Sequence, residues 1–194
     1  LVRFEKEQQV FDKQMKNCMA AINAKIGSEL SAAEGTLAIM IYNGNDIKEK
    51  VNMIVRHAIM AGIKTEFEPR WQKYLKNVGD LIEVPIIAQG DIALDGIKVA
   101  TDNMVKTVIV KSLPVIFTAI GGLLAGPIGA ILLGALTAVI EEVFGAKKER
   151  NRRESIRQKL QSEIIPQISD AAGDAVEEEL SAYISEVNAE IWQD

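Results

Sequence analysis

The sequence predicts an all-α protein: an elongated antiparallel bundle of four to five long helices with an apolar helical hairpin at one end. Three observations carry that expectation. Ala, Ile, Val, Leu, Glu and Lys dominate, a helix-forming palette, and aromatics are only 5% of the 194 residues. Apolar residues recur at three-, four- and seven-residue spacing along most of the chain. Finally, residues 112–140 form 29 consecutive positions without Asp, Glu, Lys, Arg or His, in a chain that is 25% charged.

The first helix is expected over residues 1–25, with Phe4, Phe11, Met15, Cys18, Ile22 and Ile26 on its seam and Gly27 ending it. Ser31 and Glu34 then have the S-x-x-E spacing of a capping box, which predicts a short helix to about Tyr42. Asn43, Gly44 and Asn45 read as a turn. Asp46 with Glu49 restarts a helix in the same manner, its buried stripe being Ile47, Val51, Ile54, Ala58 and Ile63. Glu68-Pro69 marks a kink or boundary, because the residue before proline avoids the helical region. Trp71, Tyr74, Leu75 and Val78 are helically spaced beyond it, and Gly79 is expected to end that piece.

Residues 80–90 are the least helical stretch. LIEVPII is β-prone but interrupted by Pro85, which predicts an extended connection. A helix over residues 92–111 then leads into the apolar run. After the run a long helix continues to Trp192, with Ile156, Leu160, Ile164, Ile168, Ala172, Val176, Tyr183, Val187 and Ile191 as its seam. Pro166 is expected to kink it, and Gly173 to weaken it by about 1 kcal/mol relative to Ala.

The apolar run, SLPVIFTAIGGLLAGPIGAILLGALTAVI, is broken in its middle by Gly121-Gly122 and Gly126-Pro127. Pro127 lacks an N–H and clashes with the turn before it, so it belongs at the start of a new helix. The reading is a hairpin over residues 112–144, with arms over 113–125 and 127–144 that each reach about 20–25 Å, short of the roughly 30 Å core of a bilayer. Gly122, Gly126, Ala130, Gly134 and Ala138 recur every four residues and form a small-residue ridge that a second helix can approach closely. The run is either a membrane-directed or oligomer-contacting hairpin or a tight pair inside a core. Its length and lack of polar groups favour the first. Its tip residues are then Leu113, Ile116, Phe117, Ile120, Leu123, Leu124, Ile128, Ile131 and Leu132.

Directly after the run comes AKKERNRRESIRQK, net +5 within a chain of net −5. Lys147, Lys148, Arg150, Arg152 and Arg153 beside a hydrophobic element attract anionic lipid at about 1 kcal/mol each near a surface. The bland alternative is a solvated helix laced with Glu–Arg pairs. The overall acidity argues against nucleic acid as a partner. The single cysteine, Cys18, excludes an internal disulfide, fits a reducing compartment and reads as a small hydrophobe in a helix seam.

No chemistry-bearing pattern appears. There is no G-x-x-x-x-G-K-[ST], and Gly121, Gly122 and Gly126 have no Lys or Ser/Thr where phosphate and Mg²⁺ need one. His57, the only histidine, reads as a satisfied bundle histidine on an apolar face. One Cys and one His do not make a zinc site. The expectation is a chain without catalytic, cofactor-binding or metal-binding residues. Because it starts at Leu1 with no signal-peptide pattern, it is also expected to be one domain excised from a longer protein.

Bundle helices leading to W-x-x-Y-L (Trp71, Tyr74, Leu75), then a Gly-rich hairpin GGLLAGPIGAILLGA, then a basic helix returning down the bundle resemble the stalk and tip of bacterial dynamin-like GTPases. The resemblance spans nearly the whole chain but rests on the order of segment types, and that family's P-loop is missing. It implies a cytoplasmic, peripheral membrane protein with anionic lipid, a GTPase domain in cis or trans and a second copy of itself as partners. Two other readings stay open: a pore-forming helical toxin or bacteriocin-like domain, and an intracellular helical interaction module whose hairpin is core.

Overall fold

The computed structural model describes residues 2–83, 130, 134 and 149–193, and the fold is all-α, with no strand among the described residues. The helices are α1 (Val2–Ala32), α2 (Glu34–Tyr42), α3 (Lys48–Gly62), α4 (Glu68–Glu83), α5 (Glu149–Lys159) and α6 (Ile165–Gln193). A single π turn joins α3 to α4 at Ile63–Phe67, and a second joins α5 to α6 at Leu160–Ile164. The expected connection over 84–90, the helix over 92–111 and the two hairpin arms lie outside the described residues. Of the run itself, Ala130 and Gly134 are described; both are helical and exposed.

Helix α1 forms because its apolar residues keep one face. Phe4, Phe11, Cys18, Ile22, Ile26 and Leu30 are all buried, with Met15 partly so. The helix does not end at Gly27 as expected; it runs on to Ala32. Gly27 serves packing instead, since a Cβ there would lie 3.1 Å from Ser169 Oγ. The same reason places Gly62 and Gly173. Added Cβ atoms would meet Ile22 Cγ1 at 2.9 Å and Asn23 Cγ at 2.9 Å, so both neighbouring helices come very near α1.

The capping-box reading of Ser31 and Glu34 is corrected. Ser31 lies in the last turn of α1, and no side chain caps α2 at Ala33. The Asp46–Glu49 box does not form either. The cap residue of α3 is Ile47, without a side-chain cap, and Asp46 Oδ1 instead accepts from the Lys48 backbone N–H at 2.8 Å. Gly44 takes the left-handed conformation (φ 73°) that the turn requires. In α3, Val51, Val55, Ala58, Ile59 and Gly62 are buried, while Ile54 is only partly so. His57 is exposed, not on the apolar face as read from sequence, because it falls on the opposite side of that stripe.

Neither proline ends its helix. Glu68 N–H reaches back five residues to Ile63 O, and Ile165 N–H to Leu160 O, each immediately before its proline. Proline lacks an N–H and its ring crowds the carbonyl four residues earlier. Widening the preceding turn by one residue accommodates that carbonyl and keeps the helix going. The expected boundary at Pro69 is thus replaced by a local change of winding, and a π turn stands before Pro166 as well. Gly79, expected to end α4, is buried inside it, and residues 80–83, read as extended, are helical. The roughly 1 kcal/mol that glycine costs a helix is outweighed by packing.

Helix α1 is the element on which α3, α4 and α6 all pack. The pairings fix directions. Phe11 stacks on Tyr74 at 4.4 Å, Glu7 accepts from Asn77, and Ile22 faces Gly62, so α3–α4 runs opposite to α1. Asn23 faces Gly173, and Tyr74 Oη donates to Asn188 Oδ1 at 3.0 Å, so α5–α6 also opposes α1 and runs parallel to α3–α4. Phe11, Phe67, Trp71, Tyr74 and Tyr183 form one aromatic cluster near the Glu7–Asn77 contact, with ring pairs 4.4–5.8 Å apart. Such pairs are worth about 0.5–1.5 kcal/mol each beyond their area.

The close approaches make a measurable contrast. Gly62→Ala and Gly173→Ala should each destabilise by about 1–3 kcal/mol, as overpacking does. Gly35, on the exposed side of α2, has nothing within 4 Å of an added Cβ. Gly35→Ala should therefore stabilise by about 0.5–1 kcal/mol. Urea unfolding of the three variants checks this, and equal effects at Gly62 and Gly35 would refute the packing account.

Candidate functional site

The described part of the basic stretch lies where α5 meets α2. Leu37, Ala38 and Ile41 of α2, with Ile156 of α5 and Leu160 beyond it, supply the buried contact. Polar groups close its edge. Glu34, at the start of α2, is only 6% exposed. Its Oε1 accepts from Arg157 Nε at 2.8 Å, and its Oε2 accepts from Gln161 Nε2. The Arg153 guanidinium sits 4.5 Å above the Tyr42 ring, a cation–π contact worth about 0.5–1 kcal/mol at an exposed site.

The electrostatics follow from this geometry. The Arg157 hydrogen bond, aided by Gln161, holds the Glu34 carboxyl below the ordinary carboxylate value against the opposing effect of burial. Arg157 is raised in turn, chiefly by Glu34, yet its side chain is 53% exposed. About half of the Arg157 side chain therefore stays open to solvent while its Nε is held.

Of the expected lipid-facing cations, Arg153 is exposed and stacked on Tyr42, and Arg152 is half-buried and partnered. Lys147, Lys148 and the Arg150 side chain lie outside the described residues. So do Leu113, Ile116, Phe117, Ile120, Leu123, Leu124, Ile128, Ile131 and Leu132, and the ridge members Gly122, Gly126 and Ala138. At the ridge member Gly134 an added Cβ would meet nothing within 4 Å among the described residues. The sequence does not mark Glu34, Tyr42, Arg157 or Gln161 as site residues. Glu34 had a local signal, S-x-x-E, but its partners lie 123 and 127 residues away and carry no mark of the pairing.

Elsewhere, a groove of about 500 Å³ runs between α1 and α6, with Met15, Met19 and Ile184 among its lining and Asp12, Lys16 and Glu177 around them. Cys18 is fully buried, and burial pushes its thiol up to about 11. Among the described residues no cluster of three or more His, Cys, Asp or Glu could hold a metal, and no helix is long and apolar enough to cross a membrane. No family model, characterised protein or solved structure matches this chain.

Two outcomes follow. Glu34 has a folded pKa below its unfolded one, so its contribution is present above the unfolded value and is lost as pH falls through the folded value. Stability should decline through the acid carboxylate range, and Glu34→Gln should remove that part of the decline; identical pH profiles from denaturant titration would contradict this. Cys18 should stay unmodified by a thiol reagent at neutral pH and react fully once urea unfolds the chain.

Proposed function

We propose that this chain is the stalk and tip region of a dynamin-like, membrane-associated GTPase, itself without catalytic activity. On this reading it is an elongated antiparallel bundle of four to five helices with an apolar hairpin at the α2–α5 end. It couples a nucleotide-driven change in a GTPase domain, in cis or trans, to contact with anionic membrane or a second subunit. The setting is the cytoplasmic face of a bacterial membrane.

The observation that carries the reading is the polarity of the described helices. The chain leaves α4 at the Glu7–Asn77 end and resumes in α5 at the Tyr42–Arg153 end. The proposed additional helix and hairpin would join these two ends. Only eight residues, 141–148, separate the apolar run from α5 in the sequence. The exposure of Ala130 and Gly134 supports a run that is not core at those positions. The outward part of Arg157 and exposed Arg153 add positive charge to the same end.

Two forces would then act together: burial of apolar surface at about 25 cal/mol per Å², and attraction to anionic headgroups that weakens as salt shortens the Debye length. The chain should co-sediment with anionic vesicles at low salt, less so as ionic strength rises. Leu123→Asp with Leu124→Asp should abolish binding, since charge enters the acyl region only at several kcal/mol. Lys147→Glu with Lys148→Glu should weaken it and flatten its salt dependence. Wild type remaining in the supernatant would favour the interaction module with a buried hairpin, and release of vesicle contents would favour the pore-forming reading.

A further inference from the structure

Four large hydrophobic side chains stand exposed among the described residues: Val10, Ile39, Met53 and Met60. A single exposed apolar residue needs no explanation, but two of these four share one stripe of one helix. Met53 and Met60 are 59% and 43% exposed and lie seven residues apart on α3, about 10.5 Å along its axis. Arg56, His57 and Lys64 are exposed along the same stripe, opposite the buried face that meets α1. From Lys48 to Lys64 the chain carries four Lys or Arg against one Glu. Neither Arg56 nor Lys64 is held in an ion pair among the described residues. Methionine is unbranched and fits irregular surfaces, which suits it to a contact that forms and parts.

The groove between α1 and α6 has the complementary character. Met15, Met19 and Ile184 give it an apolar lining, and Asp12 and Glu177 stand exposed beside them, with Lys16 the one cation. Helix α6 carries seven Asp or Glu and no Lys or Arg. Along α6 the lining extends from Glu177 to Ala189, about 18 Å, which is long enough to take both methionines of the stripe. One molecule cannot bring its own two surfaces together. The α3 stripe points away from α1, and α1 is a wall of the groove.

We propose that this chain binds a second copy of itself head to tail, the Met53–Met60 stripe of one copy seated in the α1–α6 groove of the next. Arg56 and Lys64 then face the carboxylates of that copy's α6. Charge sets the pairing and its orientation, and the methionines supply the apolar contact. The two surfaces differ, so a first contact leaves one of each open and association continues into chains or closes into a ring. The contact is small for a protein interface, which makes it reversible. The proposal does not rest on the stalk reading.

Sedimentation velocity of the full chain, without lipid, tests it. Wild type should show an average mass that rises with concentration and falls as salt screens the charges. Met60→Asp spoils the stripe and Ser181→Trp fills the groove; both positions are exposed, so neither change disturbs the core. Each variant alone should remain a monomer. Mixed in equal amounts, the two should reach twice the monomer mass and go no further. The Ser181→Trp copy still has its stripe and the Met60→Asp copy still has its groove, but neither can extend the pair. A wild type that is monomeric at every concentration overturns the proposal. Association that persists in either variant alone also overturns it, as does a mixture that stays monomeric. No vesicle enters the measurement, so its outcome is separate from that of the co-sedimentation experiment.

Discussion

Within six residues of α1, positions 22–27, two other helices come so near that a Cβ added at Gly62 or Gly173 would lie 2.9 Å from an α1 side chain. Gly62 of α3 meets Ile22, Gly173 of α6 meets Asn23, and Gly27 itself meets Ser169. Glycine at each crossing removes the Cβ that would otherwise hold the axes apart. The crossing is also where the core carries polar groups, with Ser169 Oγ donating weakly to Asn23 Oδ1 and O at 3.4 and 3.5 Å. A slide along either interface would bring a side chain against these glycine notches and leave the buried hydroxyl without its partners. Register is thereby fixed at the middle, and the aromatic cluster on one side and the α2–α5 pair on the other take their positions from it.

Length is preserved by the π turns. A proline in mid-helix normally costs about 3 kcal/mol or more and breaks the rod. Here α3–α4 stays helical over 36 residues and α5–α6 over 45. Those lengths correspond to roughly 54 and 68 Å. Both prolines stand at the second position after a π turn, so one solution is used twice. The two turns differ in surroundings. The first lies against α1 in the bundle, next to the Trp71 cluster, whereas the second lies where α5 leaves it and is tied to Glu34.

That difference gives the molecule two unlike ends. At one, five aromatic rings and the Tyr74–Asn188 bond hold three helices together. At the other, a small pair of helices is closed by an ion pair, an amide and a cation–π contact. An apolar lock resists solvent and salt; a polar one responds to both.

The sequence by itself determined that the fold is all-α, that Phe4, Phe11, Cys18, Ile22 and Ile26 of α1 and Ile168, Ala172, Val176 and Val187 of α6 face inward, and that Cys18 is a core side chain. These follow from composition and from spacing within one helix, which is local information. It missed the buried Leu180, whereas Tyr183 is only partly buried and Ile191 lies outside the residues whose side chains are described. It misjudged what glycine, proline and Ser31 do. Gly27 and Gly79 look like stops because glycine ends isolated helices, but the cost is small beside the packing that close contact allows. Ser31 and Glu34 look like a cap because their spacing is right, yet the carboxylate is better satisfied by Arg157 and Gln161, and His57 falls off the buried stripe once the phase of α3 is set. Only the tertiary structure decided which helices run together, where α5 resumes and that Glu34 joins it to α2. Those outcomes depend on partners more than a hundred residues apart, and no local pattern encodes such a meeting.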